Sequence, residues 1–411
     1  VDPTPLDGPA LRVLLTTWGT MGDVAPYTGL AVGLRNAGHD VTVVTSTRYA
    51  PRFSARGLRV RDIPLDHQQE LTGRAKPWRE RLRNGQDIAS TSAQVLLETA
   101  AEGTDILLAH PLMHPLCSVI GEGLRVACRG VYTVTHAMML PGLMVAAPWR
   151  GHTLADTTVK LLLNPMYAPA VRELRRELAL SEGRVEALSR TLRHHPAWYG
   201  ISDALLPLRY PLPPGHHTTG YWPPARPPGW KPDSRLRDFL DNGPAPVYFG
   251  FGSMHRVDRE ALGRTITAAA QKLRVRAVVQ AGWAELSGHT DDVLTIGECP
   301  HDWLFPRMRA AVHHAGPGTV HASLNAAVPT LPVPMGLDQP YWGARLTALG
   351  LTPAAIPARR LTADRLTHSL AQLLQRECFR DRTRAVSASM RQQPGIANLL
   401  ARLSSTGRLH H

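Results

Sequence analysis

LRVLLTTWGTMGDVAPYTGLAVGLRNAGHDVTVVT, residues 11–45, carries the reading that decides the fold. LRVLLTT (11–17) is an apolar run with no polar alternation, as in a strand buried on both faces. WGTMGD (18–23) follows as a glycine-bearing loop. Pro26 is expected to open a helix with Leu30 and Leu34 on its apolar face, and Gly38 suits its C-terminal cap. VTVVT (41–45) reads as the next strand. Strand, loop, helix and strand in that order make a parallel α/β unit, because parallel neighbours need a crossover between them.

The same order recurs after residue 232. Strand PVYFGF (246–251) runs into Gly252-Ser253, and VRAVVQA (275–281) follows. AAVH (310–313) enters a second glycine loop before TLPV (330–333), a helix over 362–375 and a C-terminal helix within 385–404. Between the halves lies PLPPGHHTTGYWPPARPPGWKP (211–232), in which eight of 22 residues are proline. That density excludes helix and central strand and predicts a stiff linker. The expected organisation is an α/β domain over 1–210, with 152–194 mostly helical, then a linker over 211–232. A second α/β domain follows over 233–384, with a terminal helix in 385–411. Two such halves place a ligand in the cleft where strand C-termini face each other.

Composition narrows the partners. The chain has 411 residues, 43% apolar and 19% charged, which suits a large globular core. The net charge is +13. Only four of 46 cations are lysine (Lys76, Lys160, Lys231, Lys272), and no run of cations interleaves with aromatics. Nucleic acid is therefore not the expected partner. Four cysteines without CxxC spacing argue against structural zinc and a disulfide framework. The N-terminal residues lack a signal-peptide pattern, and the longest apolar stretch, 137–149, is too short to span a bilayer and is broken by Pro141 and Gly142. The expected location is cytoplasmic.

Four loops carry chemistry. In the first, Gly19 to Asp23 precede a helix whose N-terminus favours anions. Neither GxGxxG nor GxxxxGK[ST] occurs, which disfavours dinucleotide and P-loop chemistry. Asp23 has two readings, a first-turn acid that caps the helix or a carboxylate acting as general base. In the second loop, HHAGPGT (313–319), a strand ends in two glycines and Thr319 at a helix start. That is the makeup of a phosphate cradle, with His314 as an added donor, or of an ordinary tight turn. Neighbouring strand side chains point to opposite faces, so His313 and His314 make a poor metal pair. The third is Asp338-Gln339, a carboxylate and an amide ahead of a helix, suited to sugar hydroxyls or to capping. The fourth is Gly252-Ser253, where Ser253 could donate to phosphate or ribose. A DxD metal motif is absent, so a leaving diphosphate would have to be neutralised by helix dipole, His and hydroxyls.

HHAGPGT, PTLPVPMGLDQPYWGARLTALGL and GTMGDVAPYTGLAVGLRNAGHDVTVVT together resemble the family-one glycosyltransferases of GT-B fold. PVYFGFGSM and TTGYW are similar to the branch of sterol glucosyltransferases and bacterial natural-product glycosyltransferases. The resemblance covers roughly 1–65 and 216–375 and implies two facing Rossmann-like domains. The first would take the acceptor, the second the nucleotide sugar, and the terminal helix would cross back to the first. It implies that His314, Gly316, Gly318 and Thr319 hold the diphosphate with Ser253, and that Asp338 and Gln339 contact the sugar. Thr20 and Gly22 would approach the donor from the first loop. Cys299-Pro300-His301 would read the base, with Trp283 and Trp303 as stacking candidates. Asp23 stands where one branch has its base; the loop His of other relatives is lacking here.

The expected reaction is inverting transfer from a UDP- or dTDP-sugar to a hydroxyl of an apolar acceptor, without a metal or other cofactor. His136, Met138, Met144 and Trp149 are acceptor candidates, since methionines fit irregular apolar shapes; a core or lid helix is the other reading of that stretch. Rival readings are an auxiliary homologue that activates a partner enzyme, C-glycosylation or epimerisation, and action at a membrane surface on a sterol-like lipid. A monomer or a homodimer is expected.

Overall fold

The computed structural model describes residues 9–64, 77–134, 164–181, 191, 194–206, 212–252, 259–280, 292–336 and 338–407. The chain divides into two compact units. Unit 1 contains β1 (Arg12–Thr16), α1 (Met21–Asn36), β2 (Asp40–Ser46), α2 (Ala50–Ser54), β3 (Arg59–Ile63), α3 (Trp78–Ala101) and β4 (Ile106–Ala109). It continues through α4 (His114–Leu124), β5 (Ala127–Tyr132), α5 (Asn164–Glu177), β6 (Ala197–Tyr199) and β7 (His216–Thr218). Unit 2 contains α6 (Ser234–Asp241), β8 (Val247–Gly250), α7 (Arg259–Leu273), β9 (Ala277–Gln280), β10 (Val293–Ile296), α8 (His301–Leu304) and β11 (Ala310–His313). It ends with α9 (Pro317–Asn325), β12 (Thr330–Pro332), α10 (Gln339–Ala348), α11 (Ala363–Gln375) and α12 (Glu377–Arg391). The last helix, α13 (Ile396–Gly407), belongs again to unit 1.

Both sheets are parallel throughout. Their orders are β3-β2-β1-β4-β5-β6-β7 and β10-β9-β8-β11-β12. Each order reverses direction once, between β1 and β4 in unit 1 and between β8 and β11 in unit 2. A crevice opens at such a reversal, because the loops leaving the two strands diverge to opposite faces. Strand alternation divides the unit 1 core. Val13 and Leu15 pack with Tyr27, Leu30 and Leu34 of α1, while Leu14 packs with Ala93 and Leu96 of α3. In unit 2, Val247 and Phe249 pack with Ile266, Val312 and Leu370.

Several boundaries differ from expectation. The first helix opens at Met21, five residues before Pro26. A capping box between Thr20 and Asp23 sets its start, and Pro26 lies inside it, where the ring keeps a helical φ at the loss of one backbone bond. The proline-rich segment is ordered as part of unit 1 as far as Pro228. His216–Thr218, a proline-free stretch, forms the edge strand β7, the one sheet position that tolerates proline nearby. Trp222 is fully buried, its indole N–H donating to Thr219 Oγ1 at 2.8 Å. The C-terminal region divides at Pro394, with α12 in unit 2 and α13 in unit 1. There Leu399, Leu400 and Leu403 join the α1 core.

Two glycines let the segment 221–223 close on α1 and on the chain entering α13. A Cβ on Gly29 would lie 1.9 Å from Pro223 O, and one on Gly395, at φ +54°, would lie 1.9 Å from Tyr221 O. Backbone oxygens cannot step aside as side chains can. Gly29→Ala is therefore expected to destabilise unit 1 by about 1–3 kcal/mol, the usual cost of overpacking. Urea unfolding measures it, and an unchanged midpoint would contradict the packing described.

Candidate functional site

In unit 2 the loops leaving β8 and β11 lie at the reversal point. β11 ends at His313, and α9 begins at Pro317 with Gly316 as its N-cap. Pro317 has no N–H to lose and suits the first helical position. No side chain caps α9 and no acid occupies its first turn. The N–H groups of Gly318 and Thr319 therefore add to the positive end of the helix dipole with no carboxylate of the helix's own first turn to neutralise them. A Cβ on Gly318 would meet no atom of the described residues within 4 Å, so packing among them does not demand glycine there.

His314 sits above this helix start. Its Nδ1 lies 3.5 Å from Gly250 O. Its ring fills the space that side chains on two glycines would need: a Cβ on Gly316 would fall 2.5 Å from Nε2, and one on Gly252 3.1 Å from Cε1. Burial lowers the His314 pKa, partly offset by the Gly250 carbonyl. His313 points the other way and is fully buried against Thr330. Ala315, which follows them, has φ +66°, a left-handed conformation that costs an L residue roughly 1–2 kcal/mol.

His301 opens α8 beside these groups. Its Nε2 lies 3.3 Å from Tyr248 Oη and 3.4 Å from Gln280 Oε1, and its ring stacks on Phe305 at 4.3 Å. The Tyr248 hydroxyl donates to Gln280 Oε1. It lies where a side chain on Gly250 would be, 2.1 Å from that Cβ position. Tyr248 and Gln280 were not singled out from the sequence; the available signal was a polar residue closing the apolar run VRAVVQ. Trp303 meets Trp230 edge-on at 5.4 Å and carries Arg307 over its ring, so protein groups already engage it.

Asp338 and Gln339 flank the start of α10. Asp338 Oδ2 accepts from the Trp342 indole N–H at 3.1 Å, and Gln339 Oε1 accepts the N–H groups of Met335 and Gly336 at 2.8 and 3.2 Å. Both side chains thus brace their own loop, although the Asp338 side chain makes no cap hydrogen bond at the start of α10. Trp342 packs edge-on against His321, whose Nδ1 lies 2.7 Å from Pro317 O. The loop after β12 is in this way tied to the first turn of α9.

In unit 1 the loops leaving β1 and β4 lie at the other reversal. Asp23 Oδ2 accepts from the backbone N–H of Thr20 at 2.8 Å and from its hydroxyl at 2.9 Å. A Cβ on Gly19, at φ +115°, would lie 2.5 Å from that oxygen. Gly22 is exposed in the first turn. His110, the last residue of DILLAH, was also not singled out. Its N–H donates to Thr16 Oγ1 at 2.8 Å, and its ring lies 5.5 Å from that of Tyr27. Ser253, Trp283, His136, Met138, Met144 and Trp149 lie outside the described residues. Among the described residues no three His, Cys, Asp or Glu side chains gather as a metal ion would require, and no helix is long and apolar enough to cross a membrane.

Residues 13–102 match the glycosyltransferase family 28 N-terminal domain, and 266–405 the erythromycin biosynthesis protein CIII-like C-terminal domain. A sterol 3-beta-glucosyltransferase of Candida albicans is 28% identical over 96% of this chain, which spans 28% of that longer protein. The O-mycaminosyltylonolide 6-deoxyallosyltransferase of Streptomyces fradiae is 29% identical over 94% of this chain and 96% of its own length. Among solved structures, the glycotransferase of kitacinnamycin superposes with TM-score 0.73 at 16% identity, over 97% of this chain and 99% of that one. VinC in complex with dTDP superposes with TM-score 0.70 at 19% identity, over 97% and 100%. These similarities carry the GT-B fold.

Burial holds four histidines neutral, pushing His110 and His114 down to about 3 and His301 and His321 to about 4, from an ordinary 6.5. A folded-state pKa below the unfolded one means stability that is full above pH 6.5 and is lost as pH falls towards the folded values. The urea midpoint is expected to hold between pH 7 and 8 and to fall between about pH 6.5 and 5, before most carboxylates titrate. A midpoint flat over that interval would contradict the burial.

Proposed function

The chain belongs to the family-one glycosyltransferases of GT-B fold, and from that premise we propose that it moves a sugar from a nucleoside-diphosphate sugar to a hydroxyl of an apolar small molecule, with inversion. The observation that carries the donor half is the uncapped start of α9. Its first turn holds the N–H groups of Gly318 and Thr319, a Cβ on Gly318 would meet no atom of the described residues within 4 Å, and the His314 ring lies over Gly316 just before it. That set suits a diphosphate, whose charge grows as it leaves. Thr319 would add a hydroxyl, Asp338 and Gln339 would face the sugar, and His301 with Cys299-Pro300 would lie towards the base. No step calls for a metal ion.

In the transfer, the acceptor oxygen attacks the anomeric carbon while its proton passes to the Asp23 carboxylate. The bond from that carbon to the diphosphate oxygen breaks, and the electron pair leaves with the diphosphate. A single displacement inverts the anomeric centre. Similarity to both a sterol and a macrolide glycosyltransferase supports an acceptor that is apolar and rich in rings, presenting one hydroxyl.

Asp23 has a structural task as well, and two substitutions separate the tasks. Asn keeps an oxygen for the Thr20 N–H; Ala does not. Asp23→Asn is expected to cost about 10²–10⁴ in kcat, as for loss of one general base, with an unfolding midpoint close to wild type. Asp23→Ala should add a capping loss of about 1 kcal/mol. Undiminished turnover by Asp23→Asn would reject the base assignment. A transfer screen crossing UDP- and dTDP-sugars with sterol and macrolide acceptors, read by mass spectrometry, should show one glycosylated product with inverted configuration. No transfer and no donor hydrolysis across the screen would reject the activity.

A further inference from the structure

We infer that His313, a residue without access to a ligand, is the positioning residue of the donor site, and that Thr330 holds it for that task. The inference rests on the donor-site reading above. Both side chains are fully buried, so neither can touch substrate. What they touch is the loop.

The hydrogen-bond pattern fixes the proton on the imidazole. The backbone N–H of Ala315 points at His313 Nδ1 at 3.0 Å, and an N–H can only donate. Nδ1 is therefore the acceptor, and the single proton of the neutral ring sits on Nε2. Nε2 faces Thr330 Oγ1, which accepts it. The Thr330 hydroxyl proton then goes to Ala311 O at 3.2 Å. The chain of donors runs Ala315 to His313 to Thr330 to Ala311, crossing from the loop through β12 back into β11 without a conflict. A protonated ring would set Nδ1–H against the Ala315 N–H. Desolvation keeps the His313 pKa well below the ordinary value, in the same direction.

This chain of bonds explains a conformation that the sequence alone would not favour. Ala315 is fully buried at φ +66° with no glycine's freedom to be there. Its N–H is held by His313, and that bond turns the chain so that Gly316 stands as the N-cap of α9 and the His314 ring folds back over Gly316. The imidazole of His313 thereby fixes two things it never touches: the direction of the free N–H groups of Gly318 and Thr319, and the place of His314. His313 is the post and His314 the hand, and the opposite facing of strand neighbours lets adjacent residues divide those tasks.

The test combines two readouts on the full chain. Imidazole 15N–1H correlation spectra of the unliganded protein should show His313 as the neutral Nε2–H form from pH 5 to 8; an Nδ1–H or charged form would overturn the inference. Calorimetric titration with UDP and dTDP gives the second readout. His313→Ala should weaken nucleotide binding about tenfold or more, a loss of the size expected when a buried hydrogen bond goes. His313→Asn, whose Oδ1 can replace Nδ1 as acceptor for Ala315, should recover most of it at a similar unfolding midpoint. His313→Ala/Ala315→Gly should recover part, because glycine adopts the left-handed turn unaided. Thr330→Val, close in shape to threonine, should give a smaller loss and serves where His313→Ala folds poorly. Wild-type affinity in both His313→Ala and Thr330→Val, or no recovery with Asn, would overturn the inference. Failure of the wild type to bind either nucleotide would instead reject the donor-site reading; the tautomer in the unliganded protein still decides whether His313 holds the loop.

Discussion

Parallel pairing is the constraint from which the rest follows. Every strand in both sheets runs the same way as its neighbours, so all strand C-termini of a sheet emerge at one edge. A crossover, most often a helix, must return the chain each time, and both faces of the sheet become buried. The chain can present polar loops together only at that edge, and a crevice forms only where the strand order reverses. The loops of Gly19–Asp23 and His110 flank the reversal in unit 1, and those of Gly250–Gly252 and His313–Gly316 flank the one in unit 2.

Glycine makes those loops usable. At Gly316 and Gly252 it leaves room for the His314 ring, at Gly250 for the Tyr248 hydroxyl, and at Gly19 for the Asp23 carboxylate. At Gly318 it leaves room for nothing among the described residues. The contrast separates glycines that serve the protein's own packing from those that do not, and of the latter Gly318 alone lies in the first turn of α9. The same loops carry the burial cost of several neutral histidines, a cost that tight packing at the strand ends imposes.

Legibility in the sequence followed the range of the forces involved. Strands β1, β8, β11 and β12 and helix α11 stood out because long apolar runs and their caps are local signals. The start of α1 was misplaced because Pro26 is a strong local cue, while the capping box that overrides it depends on how Asp23 folds back over Gly19. The 24-residue α3 lacks a bold apolar stripe, since the face it buries includes Ala89, Ser92, Ala93 and Ala100. The ordered part of 211–232 escaped notice because proline density reports missing N–H donors, not the burial of Trp222 beneath Thr219.

The amino-acid sequence by itself determined a two-part parallel α/β chain with glycine loops at strand ends, because buried runs, crossovers and turn residues act over a few positions. It also placed His314, Gly316, Gly318 and Thr319 at the start of one helix. Only the tertiary structure decided what the neighbours of those residues do. It set His313 against Thr330 and His314 against Gly250, packed Trp342 against His321, and returned α13 to the core of α1. Each of those outcomes depends on a group far away in the chain that burial brings within hydrogen-bond or van der Waals reach. No local pattern encodes such a meeting.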